Sequence, residues 1–413
     1  MTEPSAPPSP ATALAPARLM QGFPPPPEYR VHIGNWQQWP QKIWSFQHAA
    51  ELFGTRRIAR AGEVRPLPQA PARLDELRVD EEHTWAEVWP ALHTDALLVL
   101  HRGCIVDERY FNGMGPATPH LMFSATKSMA GLMAATLVAE GRLDETARVG
   151  QLLPELAASS WADATVRQVM DMSDGVVFTE VYNDPSSDIF AYITSMGWVP
   201  EMRASSAPPG ILPNLATLKR LHDEPRGSAF RYRSPATDVT AWLATRSAQQ
   251  SISDWLSTRV WQRLGMEQDA SLMLDPQGTE VAFGGMSATA RDLARLGQLL
   301  LQRGQLDGAQ VLPAAAIDVI AAGGSTAAFA AGGYPLMNPA RDGWSYRAQW
   351  WNRPHAPRSF GAYGAFGQRL VVLPDDDLVL VLFGSHPNPM AGVVDPLMQS
   401  AFSVLAHHLK DRS

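Results

Sequence analysis

The chain has 413 residues, 45% of them hydrophobic and 18% charged, an ordinary globular composition with room for two domains or one large core with an insertion. A formal net charge of -7 argues against a general nucleic-acid binder, and a single cysteine, Cys104, excludes an intramolecular disulfide. No apolar run reaches membrane-spanning length and the N-terminus lacks a basic start followed by an apolar core, so a cytoplasmic protein without a membrane partner is expected.

Residues 1–27 are rich in Pro and Ala without periodicity and are expected to be a disordered leader. Asn35-Trp36-Gln37-Gln38-Trp39 and Trp44-Ser45-Phe46 follow. Tryptophans this dense need a surface to cover, so this arm is expected to lie along the body. Two apolar runs, Ala96 to His101 and Cys104 to Phe111, flank Arg102-Gly103 and predict a β-hairpin.

Phe123-Ser124-Ala125-Thr126-Lys127-Ser128 then opens a long apolar run that Gly141 closes. The run predicts one buried helix with Ser124 in its first turn. Ser124 and Lys127, three apart, fall on one side of that turn, where free N–H groups collect. A serine hydroxyl needs a base to become a nucleophile, and a buried lysine can lose its charge and serve. The backbone N–H of Ser124 can face an oxyanion. Taken alone, a Ser-x-x-Lys match is more often an N-cap with a solvated lysine. Against that stand the apolar context and the scarcity of lysine, which occurs only at 42, 127, 219 and 410.

Further on, Leu152 to Leu156 ends a loop, and Thr165 to Met172 is a short helix. Residues 173–225 are irregular and rich in Pro, Gly and aromatics, as binding or lid segments often are. Helices are predicted over Thr237 to Thr245, Ser253 to Leu264, Ala288 to Leu301 and Pro313 to Ala322. Strands are predicted over Ser345 to Trp351, Arg369 to Leu373 and Leu378 to Phe383, with Asp375-Asp376-Asp377 as a turn and a last helix over Met390 to Lys410. Strands at both ends and helices between predict an α/β (α+β) fold: a sheet domain from 28–120 and 340–413, and a mainly helical insertion at 121–339. The site is expected in the cleft between them. There is no Gly-x-Ser-x-Gly elbow, no His-Glu-x-x-His and no metal-ligand spacing, so neither metal nor cofactor is expected. Tyr232, just before a predicted helix, is a candidate second proton carrier. A phenol near a lysine has its ionised form favoured; read alone, as one of eight tyrosines, it is more often a packing residue.

The order Ser-x-x-Lys, Tyr-x-Ser and a glycine-rich strand resembles the serine hydrolases of the class C β-lactamase and penicillin-binding fold. Glu140-Gly141-Arg142-Leu143-Asp144, Leu153-Pro154-Glu155-Leu156 and Arg263-Leu264-Gly265-Met266 agree. Within that family the chain is similar to the 6-aminohexanoate-dimer (nylon-oligomer) hydrolase group. Tyr182-Asn183-Asp184-Pro185, Tyr232-Arg233-Ser234-Pro235-Ala236-Thr237-Asp238, Gln349-Trp350-Trp351 and Gly364-Ala365-Phe366-Gly367-Gln368 carry that likeness, which spans roughly residues 30–410. The resemblance implies Ser124 as nucleophile, Lys127 and Tyr232 sharing the proton work, and an oxyanion site made by the N–H groups of Ser124 and Ala365. Tyr182 would help protonate a leaving amine, and Trp198 would line the cleft. Ile193 and Phe283 fall where the oligomer hydrolases use polar side chains, which suits a neutral acyl group. Tyr363-Gly364-Ala365 replaces the cationic or polar triplet of β-lactamases, so poor β-lactam turnover is expected. The implied partner is a small amide or ester, and a homodimer is plausible from the family.

Overall fold

A computed structural model describes residues 16–182, 184–199, 209–334 and 338–410. A seven-stranded antiparallel sheet forms its centre, in the order Cys104–Tyr110, Thr94–His101, Leu378–Gly384, Arg369–Leu373, Ser359–Tyr363, Trp350–Arg353, Ser345–Arg347. The two ends of the sequence therefore meet where Leu378–Gly384 pairs with Thr94–His101. Leu378–Gly384 and the Ala96–Leu100 part of its partner are unbroken apolar runs because neither face sees water; every residue of Leu378–Gly384 is buried. Each such Leu or Val contributes about 1.5–3 kcal/mol of burial. Helix Ala290–Leu301 packs on Leu378–Gly384 and on its neighbour Arg369–Leu373. The expected hairpin is present, with Arg102 at φ +51° and Gly103 at φ +77°. Two left-handed residues in a two-residue loop match the right-handed twist of the strands they join.

The helix Lys127–Ala139 is buried nearly all round, as its composition predicts. It packs against helix Ser234–Ala248 and helix Ala314–Ala322. Gly131 lets the chain approach closely: a Cβ there would stand 1.9 Å from the Ala348 carbonyl oxygen. Ala348 and Gln349, at φ +49° and +67°, turn a tight hairpin at that point. The single strand expected over Ser345 to Trp351 is thus two strands. The reason is local: Gln349 is pinned by its side chain, donating to Met170 O at 3.0 Å and accepting from Thr237 Oγ1 at 2.8 Å.

Other expectations change as well. Pro16–Arg18 forms a 3-10 turn and Leu19 is buried, so the part of the leader from residue 16 onward is structured; residues 1–15 lie outside the described residues. Ser124 does not open the long helix but sits in a separate 3-10 turn, Phe123–Thr126, that feeds it. Leu152 to Leu156, expected to end a loop, belongs to two helical turns, Val149–Leu152 and Pro154–Leu156. Within 173–225, helices Asp188–Ser195 and Ile211–Leu215 replace part of the irregular stretch. The middle of the chain also contributes strands. His120–Leu121, Ala270–Met273 and Met286–Ala288 join Thr55–Ile58 in a second, four-stranded sheet. Such short strands leave no periodicity to read.

The tryptophan arm does lie on the body. Trp36 is buried, donates from Nε1 to Trp198 O at 2.9 Å, and lies parallel to the Phe123 ring at 6.1 Å. Among the described residues no helix is long and apolar enough to cross a membrane.

Candidate active site

Phe123 holds φ +45°, a left-handed conformation costly for an aromatic residue and tolerated where packing over-determines it. Its ring is held by Phe46 at 4.6 Å and Phe366 at 5.0 Å. The strained turn presents Ser124 half-buried at the floor of a cleft of about 320 Å³. Lys127, fully buried one turn on, points its Nζ at Ser124 Oγ, 3.1 Å away, and donates to the Phe283 carbonyl at 2.8 Å. Burial lowers the Lys127 ammonium to about 8, against the pull of Glu180 and Asp238. A neutral amine beside a serine hydroxyl is therefore accessible near neutral pH.

Tyr232 and Tyr182 both line the cleft at Ser124, where burial raises the pKa of each phenol and the Ser124 hydroxyl offsets this in part. The Tyr232 ring lies 5.0 Å from Lys127 Nζ and stacks on Trp351. The expectation that the lysine favours the ionised phenol is overturned. Burial and the Glu180 carboxylate push Tyr232 well above its ordinary range, and Ser124 and Arg341 offset this only in part. The phenol keeps its proton and is suited to donate it, while the amine is suited to accept.

Ser124 and Ala365 line the same cleft. Ser124 and Ala365 each stand at the start of a 3-10 turn, Phe123–Thr126 and Ala365–Gly367, where the first N–H groups have no partner within the turn. Gly364 makes their approach possible, since a Cβ there would lie 2.3 Å from Met122 O and 3.1 Å from Ala125 N. The arrangement can hold an oxyanion over the serine.

Sequence reasoning missed Glu180. Its carboxylate accepts from Tyr182 Oη at 2.6 Å, from Ser234 N at 2.6 Å and from Ser234 Oγ at 2.8 Å. It thereby ties Tyr182 to the start of the helix that follows Tyr232. Nothing in its spacing marks it; the one available signal was a lone acid among Phe178, Val181 and Tyr182. Asp238 was quoted only within a motif. Burial pushes its carboxyl up to about 7, and Tyr192 Oη donates to it at 2.7 Å.

Ile193, Trp198 and Phe283 do come together. With Phe190 and Ile189 they line an apolar hollow of about 100 Å³ that opens onto Ser124, Tyr182 and Ala365. A larger open groove of about 760 Å³ lies by Trp242 and Arg246 and has no lysine in its lining to pair with a serine, so size does not mark the chemistry. No cluster of three or more His, Cys, Asp or Glu suited to a metal exists among the described residues.

With neutral Lys127 as acceptor, kcat/KM for an activated ester should climb about tenfold per pH unit on the acid side and level off near 8. A pH–rate profile checks this; a rate independent of pH between 6 and 9 would exclude Lys127 as the acceptor.

The Beta-lactamase family profile matches residues 90–401. The 6-aminohexanoate-dimer hydrolase of Paenarthrobacter ureafaciens is 34% identical over 360 residues, covering 86% of this chain and 88% of that one. A Bacillus anthracis structure named as a candidate 6-aminohexanoate-dimer hydrolase superposes with a TM-score of 0.83 at 29% identity, over 94% of this chain and 99% of that one. A family VIII carboxylesterase shares the fold alone, with a TM-score of 0.55 at 16% identity over 81% and 99% of the two chains. The profile and the relatives agree: the chain belongs to the beta-lactamase family of serine hydrolases.

Proposed function

We propose that the protein is a serine amidase and esterase that cleaves small linear amides and carboxylic esters through an acyl-enzyme. The observation that carries this is the 3.1 Å contact between Ser124 Oγ and a fully buried lysine, in a cleft that Tyr182 and Tyr232 also line. Ser124 Oγ attacks the carbonyl carbon as neutral Lys127 takes its proton. The oxyanion rests on the N–H groups of Ser124 and Ala365. As the C–N or C–O bond breaks, Tyr232 gives its proton to the leaving group and is reprotonated from Lys127. Water then attacks the acyl-serine by the reverse route, and Ser124 regains its proton.

The hollow beside Ser124 supports a neutral acyl group. Ile193, Trp198 and Phe283 offer no carboxylate to pair with an ammonium, whose burial there would be uncompensated. The test compares amine release from N-hexanoyl-6-aminohexanoate and from the linear 6-aminohexanoate dimer, with p-nitrophenyl hexanoate as the ester. The hexanoyl amide should be favoured by about tenfold or more, and Ile193→Asp should narrow the gap. Ester cleavage without amine release from either amide would make the protein a carboxylesterase only. Neither activity in a folded protein would leave a binding role.

A further inference from the structure

We propose that Arg341 is a positioning residue for this reaction: through the Trp351 ring it holds Tyr232 in place and sets a fixed positive charge behind the phenol, which makes it a better donor to the leaving group. The proposal rests on the reading of Tyr232 as that donor.

Arg341 ends the turn Pro339–Arg341, is buried, and belongs to the wall of the Ser124 cleft. Its guanidinium carbon lies 4.1 Å from the centroid of the Trp351 ring. On that ring stacks Tyr232, with centroids 5.5 Å apart and planes 25° from parallel. Cation, indole and phenol therefore form one layer of contacts, and Tyr232 lines the cleft with Ser124.

The layer has a rigid base. Asp395, on helix Ala391–Lys410, accepts from Arg341 Nε at 2.7 Å, from Asn338 Nδ2 at 2.9 Å and from Arg369 Nη2 at 2.6 Å. Arg369 Nη1 in turn donates to the Gly364 carbonyl at 2.8 Å, next to the oxyanion turn. Two guanidiniums on one carboxylate leave this buried cluster with one positive charge in excess. Burying an excess charge is costly, and an apolar side chain of similar volume would fill the same aromatic box without that cost. Rings offset part of it, with Tyr363 at 4.8 Å and Trp344 at 5.3 Å from the guanidinium. Arg341 Nη2 has no hydrogen-bond partner among the described residues, so the rings and Asp395 fix its place. Packing alone does not call for this cation; electrostatics on Tyr232 does.

The other groups facing Tyr232 do not supply that charge. Glu180 and Tyr182 line the cleft wall, Tyr334 and Tyr346 stand beside the ring, and Glu180 opposes release of the proton. Lys127 faces the ring from the nucleophile helix, but on this mechanism its charge is transient: it is neutral when acylation begins, gains the serine proton and returns a proton to the phenol, which leaves Arg341 as the fixed cation.

The test uses an amide and a p-nitrophenyl ester of one acyl group, compared by kcat/KM. Both pass through the same acyl-enzyme, but only the amide needs a proton on its leaving group. Arg341→Met should lower kcat/KM for the amide about tenfold or more and leave the ester within about threefold. Arg341→Lys should recover part of the amide rate. Arg341→Gln, neutral but able to keep a bond to Asp395, should show the same selective loss and serves where the Met variant does not fold. Equal loss on both substrates would mean a structural role only, and no loss in a folded variant would remove the role altogether. Either result overturns the proposal. Tyr232→Phe separates the two readings: full amide turnover there removes the donor assignment, whereas a selective loss there with an unselective Arg341→Met removes this proposal alone.

Discussion

Ser124→Ala should abolish acyl-enzyme formation and lower turnover by about four orders of magnitude or more, since a nucleophile and its base act as one unit. The fold should survive it. The serine hydroxyl accepts from Lys127 within the site, while the turn that carries it is held by Phe46, Phe123 and Phe366. Lys127 loses one contact and keeps the Phe283 carbonyl at 2.8 Å. Incubation with p-nitrophenyl hexanoate followed by intact-mass measurement should show an acyl adduct on the wild type and none on the variant. The thermal midpoints should agree within a few degrees. Wild-type turnover by the alanine variant would end the assignment of Ser124.

What made Ser124 and Lys127 legible was local. Spacing of three, a buried helix and a scarcity of lysine are all properties of one short stretch, and the structure places the two groups in contact. Ala365, Tyr182, Ile193, Trp198 and Phe283 came from resemblance, because no periodicity joins residues so far apart in sequence. They share the Ser124 surroundings in space. Glu180 and Arg341 were read by neither route. A carboxylate pinned by Ser234 and a cation pinned by Asp395 have meaning only once three or four separate segments are packed. The same holds for the fold. Long buried strands such as Leu378–Gly384 announce themselves, whereas the hairpin at Ala348 and Gln349 exists because Gly131 leaves room for it and Met170 and Thr237 pin it. The state of Tyr232 was misread for a related reason. Its lysine neighbour was visible in the sequence, but the desolvation and the Glu180 charge that outweigh it were not.

That correction shapes the second large effect. Tyr232→Phe should lower kcat/KM for an amide by about a hundred- to ten-thousandfold, the range for losing a positioned proton donor. Loss on a p-nitrophenyl ester of the same acyl group should stay under about tenfold, because nitrophenolate departs without a proton. The ring itself is retained, so the stack on Trp351 is kept and the loss reports on the hydroxyl. Lys127 still stands 3.1 Å from Ser124 Oγ in this variant and can still accept the serine proton. Near-normal amide turnover would transfer the donor role to Tyr182, which also lines the cleft at Ser124. Equal, severe loss on both substrates would instead place Tyr232 on the path by which Ser124 itself is deprotonated, and Lys127 would then act through the phenol rather than on the serine directly.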